Sequence, residues 1–222
     1  VRSRAESSIL AELRQLAAAG YREVVLSAIS LPSYGLDTGT NLVELVEHCA
    51  EVEGIERIRL GSLEPRIVTE DFCRTLAGFP NLCPQFHLSM QSGCDTVLQR
   101  MHRKYDTRRY YESVCLLRKF FPNCAITTDM IVAFPGETEA EFEESLAFIQ
   151  KCAFADMHIF PYSRRPGTPA DTMPGQLGNA VKEDRSRRAI AVAQQMSRSY
   201  RESLIGTTQA VLFEEQVLSF YT

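Results

Sequence analysis

The chain has 222 residues, 45% of them hydrophobic, and a formal net charge of -4. This length supports one large core rather than two full domains, and the slight acidity excludes a globally polycationic nucleic-acid binder. No apolar run approaches the ~18 residues of a membrane span, and the start does not resemble a signal peptide, so we expect a cytoplasmic protein without membrane contact.

Helical and strand-like hydrophobic periodicities alternate along the chain. In chain order they predict the helix AESSILAELRQLAAAG, the strand EVVLSAI, the helix NLVELVEHCAEV, the strand IERIRLGSLEP, the helix VTEDFCRTLAGF, the strand CPQFHLSMQSG, the helices DTVLQRMHR and TRRYYESVCLLRKFF, the strand AITTDMIVAF, the helix TEAEFEESLAFIQKC and the strand ADMHIFPYS. Thr69 is a candidate N-cap, and Thr138 with Glu141 forms a capping-box pattern. A Pro-rich loop, a helix over about 181–203 and a strand-like run after residue 206 follow.

This repeated order predicts an α/β fold with a parallel sheet, in which five strands precede the terminal run. A helix comes first, so we expect a strand before Val1 to be missing. In a parallel β/α barrel the chemistry lies where strands end and loops lead into helices. Those positions here are rich in polar and turn residues, although the strands leading to them are apolar.

Two acids lie in or beside strands that otherwise have a core pattern. An unpaired carboxylate at Glu64 or Asp129 would be expensive there, so each requires a partner or a ligand. Gln91 offers both a donor and an acceptor, and Arg103 can bind a carboxylate in bidentate fashion. Together these four residues suit a nucleoside that carries an amino-acid tail.

A purely structural interpretation of the same residues stays open. In it the two acids pair with arginines at the edge of the core, such as Arg59 or Arg66, and Gln91 caps the following helix. His87 and His158 each lie within a predicted strand, and we interpret them as packed core histidines rather than bases.

The cysteines give no local metal motif. There are seven, without C-x-x-C or C-x-x-x-C spacing and without matching histidines, and the odd number argues against a disulfide framework. We therefore predict no metal ligands in this chain and expect mostly reduced thiols in the core or on helix faces.

Cations and aromatic rings are interleaved in QRMHRKYDTRRYY, and YSRRPGTP adds two more cations at a strand end. Such a mixture suits RNA, with cations for phosphate and rings for bases. The candidate nucleic-acid residues are Arg100, Lys104, Arg108, Arg109, Arg164 and Arg165. The alternative is a solvated helix face with tyrosines half in the core.

Four motifs carry a family resemblance: GSLEP, MQSGCDTVLQRMHR, ITTDMIVAFPGETEAEF and IFPYSRRPGTPA occur here in one order. The chain resembles the radical-SAM tRNA methylthiotransferases, and is most similar to the branch that acts on threonylcarbamoyladenosine beside the anticodon. The resemblance implies a partial (β/α)6 barrel over residues 1–205 that lacks its first strand, and the start of an RNA-binding TRAM β-domain over 206–222. It also implies S-adenosylmethionine, two [4Fe-4S] clusters with ligands outside this chain, a tRNA substrate, and an electron donor such as flavodoxin or ferredoxin.

The resemblance also implies roles for individual residues. Glu64 and Arg103 would hold the methionyl amino and carboxylate groups, Gln91 and Asp129 would face the amino-acid tail or the ribose, and 131–135 would pass near the adenine. The full expected cofactor set is Ser62, Glu64, Gln91, Ser92, Arg103, Asp129, Ile131, Phe134 and Pro135. No catalytic residue is identified.

Two departures from the family pattern are visible. The C-x-x-x-C-x-x-C cluster loop is absent from these residues, so we expect this chain alone to be inactive, and Ala133 stands where the family usually has Gly. Two other functions stay open. One is a non-catalytic RNA-binding barrel, and the other is a metal-free β/α-barrel lyase using Asp129 or Glu64, although no lysine lies in a strand interior.

Overall fold

Five parallel strands form one curved sheet, in the same spatial order as in the chain. The computed structural model describes residues 2–213, 216–217 and 220–221. The strands are β1 (Glu23–Leu26), β2 (Arg57–Leu60), β3 (Gln85–His87), β4 (Ala125–Val132) and β5 (Asp156–Pro161). β1 pairs with β2, and β4 pairs with both β3 and β5. Parallel bridges Ile58–Leu82 and Leu63–Leu88 continue the sheet across the chain segments of β2 and β3. The predicted α/β fold is confirmed as a partial barrel.

Helices alternate with these strands as the sequence predicted. They are α1 (Glu6–Ala18), α2 (Leu42–Ala50), α3 (Glu70–Leu76), α4 (Asp95–Arg100), α5 (Thr107–Phe120), α6 (Glu139–Cys152) and α7 (Asn179–Ser203). The Thr69 side chain accepts a hydrogen bond from the Phe72 amide, and Thr138 and Glu141 form the expected capping box. α1 precedes β1, and among the described residues no strand pairs with the other edge of β1.

Strand alternation separates a helix-covered face from an open concave face. On β4, Ile126, Thr128, Met130 and Val132 are buried, whereas the residues between them are half-buried. On the helix side, Tyr110 of α5 is fully buried and its hydroxyl donates to the Leu88 carbonyl at 2.7 Å. The hydrophobic core therefore lies between the sheet and its helices.

The long helix α7 spans the sheet from one end of the strands to the other. Near its start, the Arg185 guanidinium bonds Glu137, which follows β4. Near its end, the Tyr200 hydroxyl donates to the carbonyl of Asn123, which precedes β4. Beyond α7 the chain passes close to the start of β2, where Arg57 approaches the Ala210 carbonyl at 3.5 Å.

The terminal run forms an antiparallel pair, β6 (Gln216–Val217) with β7 (Phe220–Tyr221), in keeping with the predicted strand-like alternation. The other residues of that run, 214–215, 218–219 and 222, lie outside the described residues. Along the described part of the chain, no helix has the length and apolar character to cross a membrane. Six of the seven free cysteines are buried and Cys115 is exposed, which confirms the expectation of core and helix-face thiols.

Candidate functional site

The residues predicted to face a ligand gather around the carboxyl edge, by which we mean the edge of the sheet where the strands end. Ser62 and Glu64 follow β2, and Ser62 is exposed. The Glu64 carboxylate pairs with Arg66 at 3.1 Å, as the structural interpretation predicted. Both side chains are about half-exposed, and such surface pairs contribute little stability. Glu64 is therefore able to exchange this partner for a ligand.

Gln91 lies in a left-handed backbone conformation, with a φ of 71°. Its amide donates to the Asp129 carbonyl at 2.9 Å, and its own carbonyl accepts from the Ile131 amide at 2.8 Å. These two bonds fix the backbone of Gln91 to β4 at the carboxyl edge. The following helix begins at Asp95 without a side-chain cap, so the alternative role of Gln91 as a helix cap is not observed.

Ser92 is fully buried and has a structural position. Its hydroxyl lies 3.3 Å from the Ser145 hydroxyl and accepts from the Cys94 amide at 3.3 Å. Gly93 follows, and a Cβ there would lie 2.9 Å from Cα of Ser145. The Ser-Gly turn is thus pressed against α6, which positions the neighbouring Gln91 rather than exposing Ser92.

Arg103 is exposed just beyond α4, and its charge and that of Glu64 both act on Tyr105. The link between them is Tyr105, whose hydroxyl donates to the carbonyls of Ser89 and Met90, both at 3.0 Å. Burial raises the pKa of Tyr105 to about 12, while the charge of Arg103 lowers it and that of Glu64 raises it. Both charges therefore act on one phenol, and the structure brings this acid and this cation to one part of the carboxyl edge.

The loop after β4 is held by hydrogen bonds to its own acid and to the Pro-rich loop. Ala133 has a φ of 58°, in the left-handed region that favours glycine, and its amide donates to the Glu137 carboxylate at 2.6 Å. Burial raises the pKa of Glu137, opposed by the Ala133 amide and by Arg185, which lies 2.7 Å away. Gly136, which precedes Glu137, donates its amide to the Gly175 carbonyl at 2.9 Å, so the Pro-rich loop packs against this turn.

The three apolar cofactor candidates on β4 and in the loop after it lie in two environments. Ile131 is half-buried on the concave face, whereas Phe134 and Pro135 are buried. The Phe134 ring makes an edge contact with Tyr162, with ring centroids 5.3 Å apart. Phe134 also belongs to a small second cluster with Cys94 and Val97, so it connects the β4 loop to α4.

Asp129 lies on the concave face between two imidazoles. One carboxylate oxygen is 3.1 Å from Nδ1 of His158, and the other is 3.3 Å from Nε2 of His87. The interpretation as a packed core histidine is wrong for His158, whose side chain is 66% exposed. His87 is largely buried, at 17% exposed, and both of its ring nitrogens contact protein groups. Both histidines project from the open face rather than toward the helices, in register with Asp129 or close to it.

Further polar side chains continue across the same face. Gln85 donates to the Thr127 hydroxyl at 3.3 Å, and Thr127 lies 3.1 Å from Nδ1 of His87. We name Gln85, His87, Thr127, Asp129 and His158 the concave polar row. Arg59, one suggested partner for Asp129, instead binds Glu23 at 2.5 Å.

Glu23, the partner of Arg59, is the first residue of β1. It also binds Arg57 at 2.5 Å. Burial acts to raise the pKa of Glu23, but the bonds from Arg57 and Arg59 outweigh burial and leave the pKa lowered. The side chains of Arg57 and Arg59 on β2 are therefore both paired with Glu23.

Half of the predicted nucleic-acid residues have structural bonds. Arg100 holds both oxygens of Glu141, at 3.0 and 2.8 Å, and this bond is the main reason that the pKa of Glu141 falls to about 2. Arg109 donates to the Ser113 hydroxyl and the Val68 carbonyl, both at 2.8 Å, and Arg164 binds Asp171 at 2.9 Å. The other three, Lys104, Arg108 and Arg165, are exposed. Contact of any of the six with RNA stays a prediction.

Within the part of the chain that the structure describes, no group of three or more His, Cys, Asp or Glu could hold a metal ion. Burial raises the pKa of the thiols of Cys49, Cys73 and Cys124 to about 11, and that of Cys152 to about 12. Thiolates are the ligands of iron–sulfur clusters, so these protonated core thiols do not fit that role.

Comparison with known proteins decides the family. Residues 1–149 match the family described as the radical SAM superfamily. The chain belongs to this superfamily. A tRNA-2-methylthio-N(6)-dimethylallyladenosine synthase of Acidothermus cellulolyticus is 40% identical over 216 residues, covering 96% of this chain and 44% of the relative. The threonylcarbamoyladenosine tRNA methylthiotransferase MtaB of Thermotoga maritima is 38% identical over 218 residues, covering 98% of this chain and 50% of the relative.

Solved radical SAM structures have the same fold. Coproporphyrinogen III oxidase (HemN) of Escherichia coli superimposes with a TM-score of 0.61 at 16% identity, over 86% of this chain and 46% of that chain. The methyltransferase TsrM of Kitasatospora setae superimposes with a TM-score of 0.62 at 16% identity, over 76% of this chain and 33% of that chain. At this identity the likeness concerns the barrel alone. This radical SAM chain spans half or less of the length of the two curated relatives named above.

Proposed function

We propose that this chain is the barrel of a tRNA methylthiotransferase that acts on threonylcarbamoyladenosine. The observation that carries the proposal is the 38–40% identity, over at least 96% of the chain, to two curated enzymes whose names describe methylthio transfer in tRNA. Both names specify an adenosine with a substituent on N6, so the proposed substrate class is an N6-modified adenosine in tRNA.

S-adenosylmethionine would bind at the carboxyl edge. When bound with a reduced [4Fe-4S] cluster, it supplies the one-electron chemistry of the reaction, and the chain binds and orients it. The exposed Arg103 and the half-exposed Glu64 suit its carboxylate and amino groups, and Gln91 is held beside them by β4. Ser62 and Ile131 border this region, whereas Ser92, Phe134 and Pro135 support it from beneath. Ligands for the two proposed clusters would come from outside the described residues.

The concave polar row favours the threonylcarbamoyl substituent over a dimethylallyl one. A dimethylallyl group is a purely apolar five-carbon arm, whereas a threonylcarbamoyl group carries amide, hydroxyl and carboxylate groups. These side chains are largely bonded to one another, but the outer nitrogen of His158 has no partner within the row, and burying it against an apolar arm would leave it unpaired, at about 1–3 kcal/mol. Five neighbouring polar side chains on one open face therefore suit the more polar arm.

Contacts with the rest of the tRNA would come from exposed cations and from the segment that follows the barrel. Lys104, Arg108, Arg164 and Arg165 are the candidates with exposed side chains, although Arg164 is paired with Asp171, and residues 206–222 would begin an RNA-binding TRAM domain. A small electron carrier such as flavodoxin or ferredoxin would deliver the electrons, and the reaction would take place in the cytoplasm.

The test uses the complete protein that contains this chain, reconstituted anaerobically with iron and sulfide. It is incubated with S-adenosylmethionine, a reductant and anticodon stem-loop RNA carrying either threonylcarbamoyladenosine or dimethylallyladenosine, and the nucleosides are analysed by mass spectrometry. We expect a methylthio product from the threonylcarbamoyl RNA alone. Product from the dimethylallyl RNA alone would overturn the substrate assignment. Tight RNA binding with neither product nor cofactor cleavage would instead identify an RNA-binding barrel.

A further inference from the structure

The two imidazoles that flank Asp129 differ in what their second nitrogen contacts. Nδ1 of His87 lies 3.1 Å from the Thr127 hydroxyl, and Nε2 faces Asp129, so both of its nitrogens are used inside the protein. His158 uses Nδ1 for Asp129, and its side chain is 66% exposed. His158 is therefore the member of this group that presents its remaining nitrogen, Nε2, to the open barrel.

The Asp129 carboxylate determines whether Nε2 of His158 donates or accepts a hydrogen bond. A carboxylate accepts hydrogen bonds, so the neutral His158 ring has its hydrogen on Nδ1, and Nε2 is left as an acceptor. Orientation of a histidine by a carboxylate on its far nitrogen is a recurrent way to fix one tautomer. Because Asp129 contacts Nδ1, the Nε2 atom of His158 can accept a hydrogen bond from a donor in the barrel.

The neighbours of His158 on β5 restrict what that donor can be. Phe160 is 50% exposed, and its ring centroid is 6.4 Å from that of His158, which provides an apolar flat surface beside the acceptor. Asp156 is exposed one pleat away on the same strand, and together with Asp129 it favours a hydrogen-bond donor beside His158. The site suits a neutral, planar N–H donor.

We propose that His158, positioned by Asp129, is a specificity-determining residue that accepts a hydrogen bond from a carbamoyl N–H of the threonylcarbamoyl substituent. The inference rests on the proposed function. Dimethylallyladenosine retains the N6–H but lacks the second carbamoyl N–H, which lies next to the threonyl carbon, so a contact with that second N–H would separate the two substrates. The family resemblance implies that Asp129 faces S-adenosylmethionine, but each of its carboxylate oxygens contacts an imidazole here, and in this inference Asp129 acts through His158 as a positioning residue.

A spectroscopic experiment tests the contact without turnover. The chain has four histidines, and His48, which pairs with Glu6 far from the row, is an internal reference. The complete protein is labelled with ¹⁵N-histidine, and long-range ¹H–¹⁵N spectra are recorded with stem-loop RNA carrying either substituent. We expect the Nε2 resonance of His158 to shift with the threonylcarbamoyl RNA and not with the dimethylallyl RNA. An unchanged or equally shifted resonance would overturn the proposal.

Variants give an independent measurement. His158→Phe removes the acceptor and keeps a flat ring, so we expect affinity for the threonylcarbamoyl RNA to fall about tenfold, the effect of one hydrogen bond. Affinity for the dimethylallyl RNA should stay within twofold, and His48→Gln should change neither. His158→Gln, which retains an acceptor, serves as a second variant if the first is poorly folded, and it should recover part of the loss. Equal losses on both RNAs, or no loss, would contradict the assignment.

Asp129→Asn tests the positioning role. Asparagine offers one acceptor to two imidazole donors, so one ring must face the amide NH₂. We expect the ¹⁵N spectrum to show a changed tautomer for one of the two histidines, with a reduced preference for the threonylcarbamoyl RNA. An unchanged tautomer pattern would refute this role. If the wild-type enzyme modifies only dimethylallyl RNA, the product analysis alone rejects the proposed function. If it modifies threonylcarbamoyl RNA but the Nε2 resonance of His158 does not shift, only this inference is rejected.

Discussion

Replacing Glu141 by Gln should cost stability in a way that depends on pH. The Glu141 carboxylate binds Arg100 through both oxygens, and its pKa falls from 4.5 to about 2, chiefly because of this bond. At 1.36 kcal/mol per pKa unit, this lowering corresponds to at most about 3 kcal/mol. Arg100 is one-third exposed, so solvent screening reduces the expected contribution to about 1–2 kcal/mol at pH 7.

The direction of the pH dependence follows from the lowered pKa. A depressed carboxyl pKa contributes stability above pH 4.5, and this contribution is lost as the pH falls through about 2. Urea unfolding of the wild type and Glu141→Gln, followed by far-ultraviolet circular dichroism, should give a stability difference that shrinks between pH 4.5 and pH 2. Gln retains an oxygen that can accept from the Thr138 amide, but its NH₂ replaces the oxygen that accepts from Thr96 and Arg100. The part of the stability difference that varies with pH therefore reports the charge. A difference that does not vary with pH would refute the reasoning.

Three further predictions concern other parts of the chain. Ala133→Gly should raise the free energy of unfolding by about 0.5 kcal/mol, since relief of a left-handed alanine exceeds the loss of one buried methyl group; a lower denaturation midpoint would contradict this. Arg185→Met should lower the free energy of unfolding by about 3–5 kcal/mol, because it leaves the buried Glu137 carboxylate without its partner. Adding Glu137→Leu to the same chain should restore much of this loss; a double variant as unstable as Arg185→Met in denaturation experiments would argue against the unpaired carboxylate as the cause. In RNA binding by the complete protein, Arg108→Gln should reduce the slope of log affinity against log salt concentration by about one, whereas Arg100→Gln should leave that slope unchanged. Equal slopes for the two variants would show that side-chain exposure does not determine which arginines contact RNA.

The order of strands and helices could be read from the sequence because each element has a clear period and a local stop. The capping box at Thr138 and the N-cap at Thr69 depend on residues only three positions apart, and such local signals survive folding. The contact between Glu137 and Arg185 joins positions 48 residues apart, so no local pattern could indicate it. The curvature of the sheet likewise depends on packing between distant elements.

The candidate site was predictable in position more than in detail. The acid at Asp129 was correctly singled out as needing a partner, but sequence reasoning missed that the partners are histidines from the two neighbouring strands. A signal existed, because His158 faces Asp129 in the parallel register and lies on the same side of the sheet. Pairwise register is unknown before the strands are aligned, and a one-residue shift would place His158 on the opposite face.

The helix α7 acts as a strut of fixed length beside the barrel. Its 25 residues span about 37 Å, and it is held by Arg185 at the turn after β4 and by Tyr200 at the turn before β4. Ser203, at the end of this helix, is therefore kept at a set distance from the turn after β4. Under the proposed function, in which one base of an RNA reaches the carboxyl edge, such a strut would serve as a ruler, because docking at one end would specify which nucleotide reaches the other.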